Sequence, residues 1–287
     1  MSHSERELGL VVVGAGHVML RCAGGLAEST EFTREHGGET ALAAMACAAL
    51  GVDTAFVTRV GDDPFGQWLL KTWDSAGVHL DYVCHSPGRN IVSLGSARID
   101  GGAPVVWSEG AAPTGLEPED LDGVPWELTR VVYASGTTQA LGDRPAQTAL
   151  SAFNSARRAG ALTVYRPALR DAHWPPNITG AARAAFDQIV PQTDVLVLEA
   201  PFEAGRLLGQ PTAEKALDAA ARRGVTRAIV SLGVRGLHMM ERGERKQVSH
   251  SGDLSESMGM ILAGLATGKS LFEAADPGLT PDGGAKK

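Results

Sequence analysis

Short apolar runs alternate with alanine-rich stretches along most of the 287-residue chain. The apolar runs are rich in β-branched residues, as buried strands are, whereas the stretches between them repeat apolar residues at helical spacing. The predicted strands are residues 8–13, 54–60, 131–134, 162–165, 195–198 and 228–232, and the predicted helices are residues 39–50, 146–159, 181–189 and 212–223. This alternation predicts an α/β fold, a mostly parallel sheet between helix layers.

Residues 89–107 depart from this pattern, because polar and apolar positions alternate there around Gly101-Gly102. Such alternation is typical of an antiparallel hairpin with one face in solvent. We expect this segment and residues 15–35 or so to form a small β lid outside the main sheet. The lid and the sheet together make one predicted domain, residues 1–275, while the Gly- and Pro-rich residues 276–287 are predicted to be a flexible tail.

The composition of the chain favours one kind of binding partner. The formal net charge is −7 and no Lys/Arg cluster stands out, which argues against nucleic acid and favours a small-molecule ligand. Cys22, Cys47 and Cys84 form no CxxC pair, so neither a disulfide framework nor a zinc site is predicted. The chain opens without a charged-then-apolar leader, and no uncharged run reaches about 18 residues. We therefore expect a cytoplasmic protein without membrane contact.

The segment 250–257, His-Ser-Gly-Asp-Leu-Ser-Glu-Ser, precedes an apolar run at 258–266. This pattern predicts a glycine-bearing loop that opens a helix. Backbone N–H groups and the positive end of the helix dipole can hold a phosphate charge at such a place.

Together with His36-Gly37-Gly38 and residues 57–66, this segment resembles the two signature regions of the PfkB/ribokinase family of sugar kinases. The resemblance implies a ribokinase-like three-layer αβα sandwich and ATP- and Mg²⁺-dependent transfer to a sugar or sugar-acid hydroxyl. It implies substrate contacts at Gly37 and Gly38, which would let a sugar approach the backbone. Residues 107–112, 116–121, 133–136 and 167–174 further resemble the 2-keto-3-deoxygluconate kinase branch, which adds Trp107 and Arg170 as substrate contacts. In Ser231–Gly236, Gly233 and Gly236 match the turn beside the ATP phosphates.

Several family positions carry residues that lack the expected chemistry. The altered positions are Leu42 for Asn, Ser108 for Arg, Arg166 and Ala168 for the Asp and Asn of Asp-Pro-Asn-x-Arg, and Ala200 for the Asn of Asn-x-x-Glu. Of the last motif only Glu203 remains to organise a magnesium shell, with water supplying the other ligands. These departures predict that ATP and Mg²⁺ binding is weakened or lost.

The catalytic base allows two alignments, and both stay open. A gap-free alignment from Gly264 backward puts Ser255 at the family's Asp position, and a serine hydroxyl is no general base. Alignment on the Gly-Ala-Gly-Asp motif instead makes Asp253 the base and places Gly252 in the anion hole, with two extra residues before the helix. An acidic residue near a helix start also has a structural explanation, through capping and the helix dipole.

Two functions follow from the sequence. The favoured one is a divergent PfkB-like homologue, impaired in or lacking phosphotransfer, that binds a small polyol or sugar-acid-like ligand or runs altered chemistry in the sugar cleft. The alternative is an active 2-keto-3-deoxygluconate kinase-like enzyme that uses Asp253. Trp107, Tyr165, Arg166, Arg170 and Glu199 either reline the cleft or serve packing. The resemblance also allows a homodimer through the lid.

Overall fold

The computed structural model describes residues 7–98, 104–169, 174, 178–249 and 254–276. The strands are β1 (Leu8–Val13), β2 (His17–Cys22), β3 (Thr33–Gly37), β4 (Thr54–Gly61), β5 (Val83–Ser86), β6 (Val92–Ser96), β7 (Val105–Trp107), β8 (Thr129–Ser135), β9 (Leu162–Arg166), β10 (Val195–Glu199), β11 (Arg227–Ser231), β12 (Leu237–Glu241) and β13 (Glu244–Val248). The helices are α1 (Glu39–Ala49), α2 (Pro64–Ser75), α3 (Gly136–Gln139), α4 (Asp143–Ala159), α5 (Ile178–Ile189), α6 (Phe202–Leu208), α7 (Ala213–Arg222), α8 (Leu254–Ala266) and α9 (Leu271–Ala274).

The large sheet has the strand order β13-β12-β11-β10-β9-β8-β1-β4-β5. From β11 to β5 all neighbours are parallel, whereas β12 and β13 are antiparallel at one edge. Apart from the edge strand β5, the parallel strands are largely buried, which explains why they appear in the sequence as continuous apolar runs. Each predicted strand and helix lies on one of these elements, with boundaries differing by three residues or fewer.

Two apolar cores cover the two faces of the large sheet. On one face, Phe153 of α4 and Phe186 of α5 pack with Val11, Val132 and Leu196. On the other face, residues of α1, α2, α8 and α9 pack against the alternate strand positions, which include Leu10, Val12, Phe56, Tyr133 and Val197. This is the predicted three-layer sandwich.

A separate four-stranded sheet has the order β3-β2-β6-β7. Its β6 and β7 pair antiparallel, with Val92 opposite Trp107, while β2 pairs parallel with β6 and antiparallel with β3. The predicted fold class, a parallel α/β sandwich with a small β lid, is thus confirmed. Gly101 and Gly102, the predicted hairpin turn, lie outside the described residues.

The β1–β2 connection places the small sheet beyond the carboxyl edge of the large sheet. Only residues 14–16 separate the end of β1 from the start of β2, so the chain passes directly from one sheet to the other. A second tie lies near the start of α2, where Asp63 Oδ1 accepts bonds from Gly66 N at 2.8 Å and Asn90 Nδ2 at 2.7 Å. The Asp-Asp-Pro-Phe-Gly portion of the first signature therefore caps a helix and fixes the approach to β6.

The sequence pattern did not predict several elements, among them β5, α2, α3, α6 and the β12–β13 hairpin. The strand β13 is polar and exposed, so it carries no apolar alternation. Its turn is made by Arg242 and Gly243, which both have positive φ, of 49° and 92°, as hairpin turns of the primed types require. Within the described ranges, no helix is long and apolar enough to cross a membrane.

Candidate active site

The carboxyl ends of four neighbouring strands form one edge of the large sheet. In the order of the sheet, β8 ends at Ser135, β9 at Arg166, β10 at Glu199 and β11 at Ser231. Ser135 pairs with Arg166, and Glu199 pairs with Ser231. Because open α/β sheets bind ligands outside the carboxyl ends of their strands, this edge is the candidate site.

Arg166 lies between Ser135 and Glu199 on this edge and is completely buried. Its Nη2 donates to Glu199 Oε1 at 2.6 Å, and its Nη1 donates to Glu39 Oε1 at 3.2 Å and to Ser255 Oγ at 2.9 Å. Burial by itself lowers the pKa of Arg166, but the surrounding carboxylates outweigh burial and hold this pKa above its usual range. The guanidinium is therefore a permanent charge in the site.

Two helix starts converge on this guanidinium. Glu39 is the first residue of α1 and Ser255 the second residue of α8, so each helix directs the positive end of its dipole toward Arg166. The hydroxyl of Tyr133 donates to Glu39 Oε1, and burial raises the pKa of Tyr133 well above its ordinary value, which keeps the phenol protonated. Arg166, Glu39, Glu199, Tyr133 and Ser255 are called the Arg166 cluster below.

Two atoms of the Arg166 cluster are buried without a hydrogen-bond partner among the described residues. They are Glu39 Oε2 and Arg166 Nε. Buried polar atoms are normally paired, and an unpaired one costs free energy. The cluster therefore has one acceptor and one donor to spare.

Glu203 lies behind the cluster, fully buried. Its Oε1 accepts from Leu169 N at 2.7 Å, and its Oε2 accepts from Glu199 N at 2.8 Å. Burial raises the pKa of Glu203 to about 7, while Arg166 opposes that shift. Each carboxylate oxygen of Glu203 thus accepts from a backbone amide, one at the end of β10 and one just after β9. The metal-shell role of Glu203 stays a prediction.

Gly37 and Gly38 let other parts of the protein pack closely against the backbone. A Cβ on Gly37 would lie 2.4 Å from the His17 ring, and one on Gly38 would lie 2.5 Å from the Ala15 carbonyl. Gly38 also has a φ of 97° as the residue that precedes α1. Glycine at both positions lets β3 and α1 pack on the β1–β2 connection, which in turn aims Glu39 at Arg166. A sugar contact at these residues stays a prediction.

The predicted phosphate-side turn follows β11, next to the strand that carries Glu199. Gly233 and Gly236 have φ of 63° and 104°, and a Cβ on Gly236 would lie 2.4 Å from the Val248 carbonyl. The Gly233 amide donates to Ser231 Oγ at 3.1 Å. The positive φ of both residues favours glycine in this turn, and Gly236 also leaves no room for a side chain.

The other predicted residues fall into two groups. Gly252, Asp253 and Arg170 lie outside the described residues, so their roles stay predictions. Trp107 ends β7 in the small sheet and is 54% exposed. Tyr165, named as a residue that either lines the cleft or packs, is buried and donates to Gln139 Oε1 at 2.6 Å, which is a packing role.

The described residues do not fit a magnesium ion at the Arg166 cluster. Magnesium is held by carboxylate and water oxygens, but here Glu39 and Glu199 bind a guanidinium and Glu203 binds two amides. Within the described ranges, no group of three or more His, Cys, Asp or Glu side chains is arranged to hold a metal ion.

Sequence reasoning named Arg166, Glu199 and Ser255 but did not join them, and it missed Glu39. The cluster joins residues up to 216 positions apart, from Glu39 to Ser255, so spacing cannot reveal it. An acidic residue at a helix start is also common for capping reasons alone. The available signal was that Arg166, which departs from the family's Asp, and Glu199 both come at the end of a predicted strand.

Comparison with known proteins gives this architecture a class. The fold, a large mostly parallel sheet with a small second sheet beyond its carboxyl edge, is the ribokinase-like α/β fold. Residues 8–251 match the model of the "pfkB family carbohydrate kinase", and the chain belongs to that family.

Two named relatives of similar sequence are kinases by their names. The chain is 28% identical over 251 residues to a 2-dehydro-3-deoxygluconokinase of Thermoproteus tenax, covering 84% of this chain and 74% of that protein. It is 32% identical over 173 residues to fructokinase-1 of Zea mays, covering 60% of this chain and 53% of that protein. The second match thus spans about half of the relative.

Solved structures show the same fold at low identity. A PfkB protein from Polaromonas sp. JS666 superposes with a TM-score of 0.86 at 20% identity, covering 93% of this chain and 92% of that one. A fructokinase from Xylella fastidiosa with bound ATP superposes with a TM-score of 0.80 at 18% identity, covering 94% and 86%.

Proposed function

We propose that this protein is a divergent PfkB-family homologue in which phosphotransfer is impaired or absent. In this proposal the cleft at the carboxyl edge binds a small polyol or sugar-acid-like ligand, or supports altered chemistry on it. The observation that carries the proposal is the commitment of the described carboxylates at this edge. Glu39 and Glu199 bind Arg166, and Glu203 binds backbone amides.

Phosphotransfer needs a proton acceptor and charge compensation for the phosphates at one place. Ser255 supplies no such acceptor, since its hydroxyl oxygen already accepts a hydrogen bond from Arg166. Loss of a single preorganised electrostatic group costs about 10² to 10³ in rate, and several such groups differ here. This reasoning favours impaired catalysis over an unchanged one.

The ligand class rests on polarity and on the relatives. Glu199 keeps 37% of its side chain exposed at this edge, so its carboxylate can accept hydrogen bonds from a ligand with hydroxyl groups. The 2-dehydro-3-deoxygluconokinase of T. tenax matches 84% of this chain, against 60% for fructokinase-1 of Zea mays. The first test is therefore whether the protein binds a sugar acid without phosphorylating it.

An ADP-release assay with Mg-ATP and 2-dehydro-3-deoxygluconate, repeated with fructose, tests the proposal. We expect no release above the buffer rate, because Ser108 and Ala168 replace the Arg and Asn that the family resemblance assigns to the carboxylate and a hydroxyl. The T. tenax enzyme is the positive control. Turnover at the rate of that control would establish the alternative, an active carbohydrate kinase.

A second measurement separates ligand binding from catalysis. Calorimetric titration with 2-dehydro-3-deoxygluconate in the absence of ATP should give a binding isotherm, and gluconate or xylitol can rank the groups that matter. Absence of heat for every polyol and sugar acid tried would contradict the binding half of the proposal.

A further inference from the structure

Two acidic side chains contact one cation at the carboxyl edge of the sheet, and a third lies nearby. Glu39 and Glu199 contact the Arg166 guanidinium, and Glu203 lies close enough to raise the pKa of Arg166 further. The carboxylates come from α1, β10 and α6, and the cation comes from β9. Carboxylates gathered in this way need a positive charge among them, because like charges at short range repel.

We propose that the Arg166 guanidinium does in this cleft what a bound divalent cation would do, so that the site holds its ligand without a metal ion. The inference rests on the proposed function, since it concerns the same cleft. It goes beyond that function by stating what the site needs in order to be complete.

The geometry of the ion pairs supports this assignment. Arg166 spreads its bonds over two carboxylates and a hydroxyl, with Nη1 and Nη2 contacting different elements of the fold. Glu199 keeps 37% of its side chain exposed, whereas Arg166 has none exposed. The cation therefore lies beneath the carboxylates and orders them from behind, while Glu199 remains open to the cleft.

The permanent charge of Arg166 explains why it can replace a metal ion at all times. A metal ion dissociates, but a buried guanidinium held above its usual pKa stays charged at any pH at which the protein is folded. Arg166 Nε is buried without a described partner, so the cluster is not a fully satisfied packing motif. A guanidinium with more N–H donors than hydrogen-bond partners can orient the groups around it.

Removing the guanidinium should turn the cluster into a cation site. In Arg166→Ala, the carboxylates of Glu39 and Glu199 would face a cavity with the hydroxyls of Tyr133 and Ser255 nearby, which is an oxygen-rich environment that Mg²⁺ and Mn²⁺ accept. In Arg166→Lys the charge remains, so no such site should arise.

The experiment compares thermal melts in EDTA, Mg²⁺ and Mn²⁺ for the wild type, Arg166→Ala, Arg166→Lys and the control Arg227→Ala. Arg227 also makes an ion pair, with Glu241 at 2.8 Å, but it is partly exposed and lies at the start of β11, at the opposite end of the strands from the cleft. We expect the melting temperature of the wild type to be the same in all three buffers. Arg166→Ala should melt lower in EDTA and regain melting temperature with Mn²⁺, while the Lys variant and Arg227→Ala should show no metal-dependent gain.

Calorimetric titration with Mn²⁺ alone gives the second readout. Saturable Mn²⁺ binding by Arg166→Ala, with none by the wild type, supports the proposal. Saturable metal stabilisation of the wild type overturns it, and so does an Arg166→Ala protein that Mn²⁺ does not rescue. If Arg166→Ala is unfolded in EDTA, recovery of folded protein on adding Mn²⁺ counts as rescue. Kinase turnover by the wild type with metal-insensitive melts would refute the proposed function and leave this inference standing.

Discussion

At the scale of single residues, the chemistry of the site depends on which charge each buried side chain carries. Arg166 stays cationic, Tyr133 stays protonated, and Glu203 has a pKa raised by burial to about 7. Glu203 is thus a described group of the site whose pKa lies near neutral pH. The protonation of Glu203 should change the free energy of unfolding even where no turnover can be measured.

The free energy of unfolding should fall as Glu203 is forced to ionise. A carboxyl whose folded pKa is raised from 4.5 to about 7 favours the folded state fully below pH 4.5, and this contribution is lost as pH rises through about 7. Since one pKa unit corresponds to about 1.4 kcal/mol, the loss has an upper bound of about 3 kcal/mol. Urea unfolding at pH 5 and pH 8 should show it.

The matched variant for that measurement is Glu203→Gln, which cannot ionise. The stability of the wild type relative to this variant should decrease between pH 5 and pH 8. A difference that does not change with pH would mean that Glu203 is ionised throughout.

Any residual ADP release should depend on Asp253 and not on Ser255. A carboxylate can accept the substrate proton near neutral pH, whereas a hydroxyl needs a base of its own. Asp253→Asn should therefore abolish residual turnover, and Ser255→Ala should leave it within about twofold. The amide keeps the size of the side chain and its hydrogen-bonding capacity. Turnover that survives Asp253→Asn would show that the base is elsewhere.

At the scale of elements, the position of Ser255 depends on how closely α8 packs on α1. A Cβ on Gly259 of α8 would lie 2.3 Å from Ala46 Cβ on α1, and the Cys47 thiol donates to the Gly259 carbonyl at 3.2 Å. The two helices therefore touch through small residues. Their starts, with Glu39 and Ser255, reach Arg166 together because of this contact.

Gly259→Ala should destabilise the protein although alanine favours helices. Overpacking of a close contact typically costs about 1–3 kcal/mol, which exceeds the gain of about 1 kcal/mol from replacing a helical glycine. Gly205→Ala in α6 is the control, because its Cβ would make an ordinary contact at 3.8 Å from Pro211. Urea unfolding should show a loss for the first variant and none for the second; equal behaviour would contradict the close packing of α1 and α8.

The elements also show what the sequence could predict. Strands such as β1 and β10 are buried on both faces, so their apolar runs identify them without knowledge of the fold. The strand β13 consists of Glu244, Arg245, Lys246, Gln247 and Val248, and it pairs because of the turn before it. The Arg166 cluster was harder still, since its members lie on α1, β8, β9, β10 and α8 and meet only after the sheet is assembled. Local patterning therefore predicted the layers but not the ion pairs.

At the scale of the whole molecule, the site combines a family fold with an unusual charge distribution. The chain carries a formal net charge of −7, and Glu199 faces the cleft beside the strand that leads to Gly233 and Gly236. If the turn holds the ATP phosphates, as the family resemblance implies, they would approach the partly exposed carboxylate of Glu199. Like charges repel one another over about a Debye length, which is about 10 Å at 0.1 M salt.

ATP should accordingly bind weakly. We expect a Kd for Mg-ATP above about 1 µM, which corresponds to less than about 8 kcal/mol of binding free energy. Ala200, in place of the family's Asn, removes a further polar group beside the predicted metal shell. Calorimetric titration measures the Kd directly, and the X. fastidiosa fructokinase, solved with ATP bound, is the control. Sub-micromolar binding by this chain would contradict the prediction.

The buried pairing of Arg166 with Glu39 and Glu199 also has an evolutionary consequence. Restoring the family's aspartate at position 166 in one step would remove the only described cation of the cluster and add a third carboxylate beside Glu39 and Glu199. Breaking a buried pair in this way costs about 3–5 kcal/mol, a large fraction of the stability of an ordinary domain. A chain that is to carry Asp at position 166 would have to neutralise Glu39 or Glu199 first, so the order of substitutions at these positions is constrained.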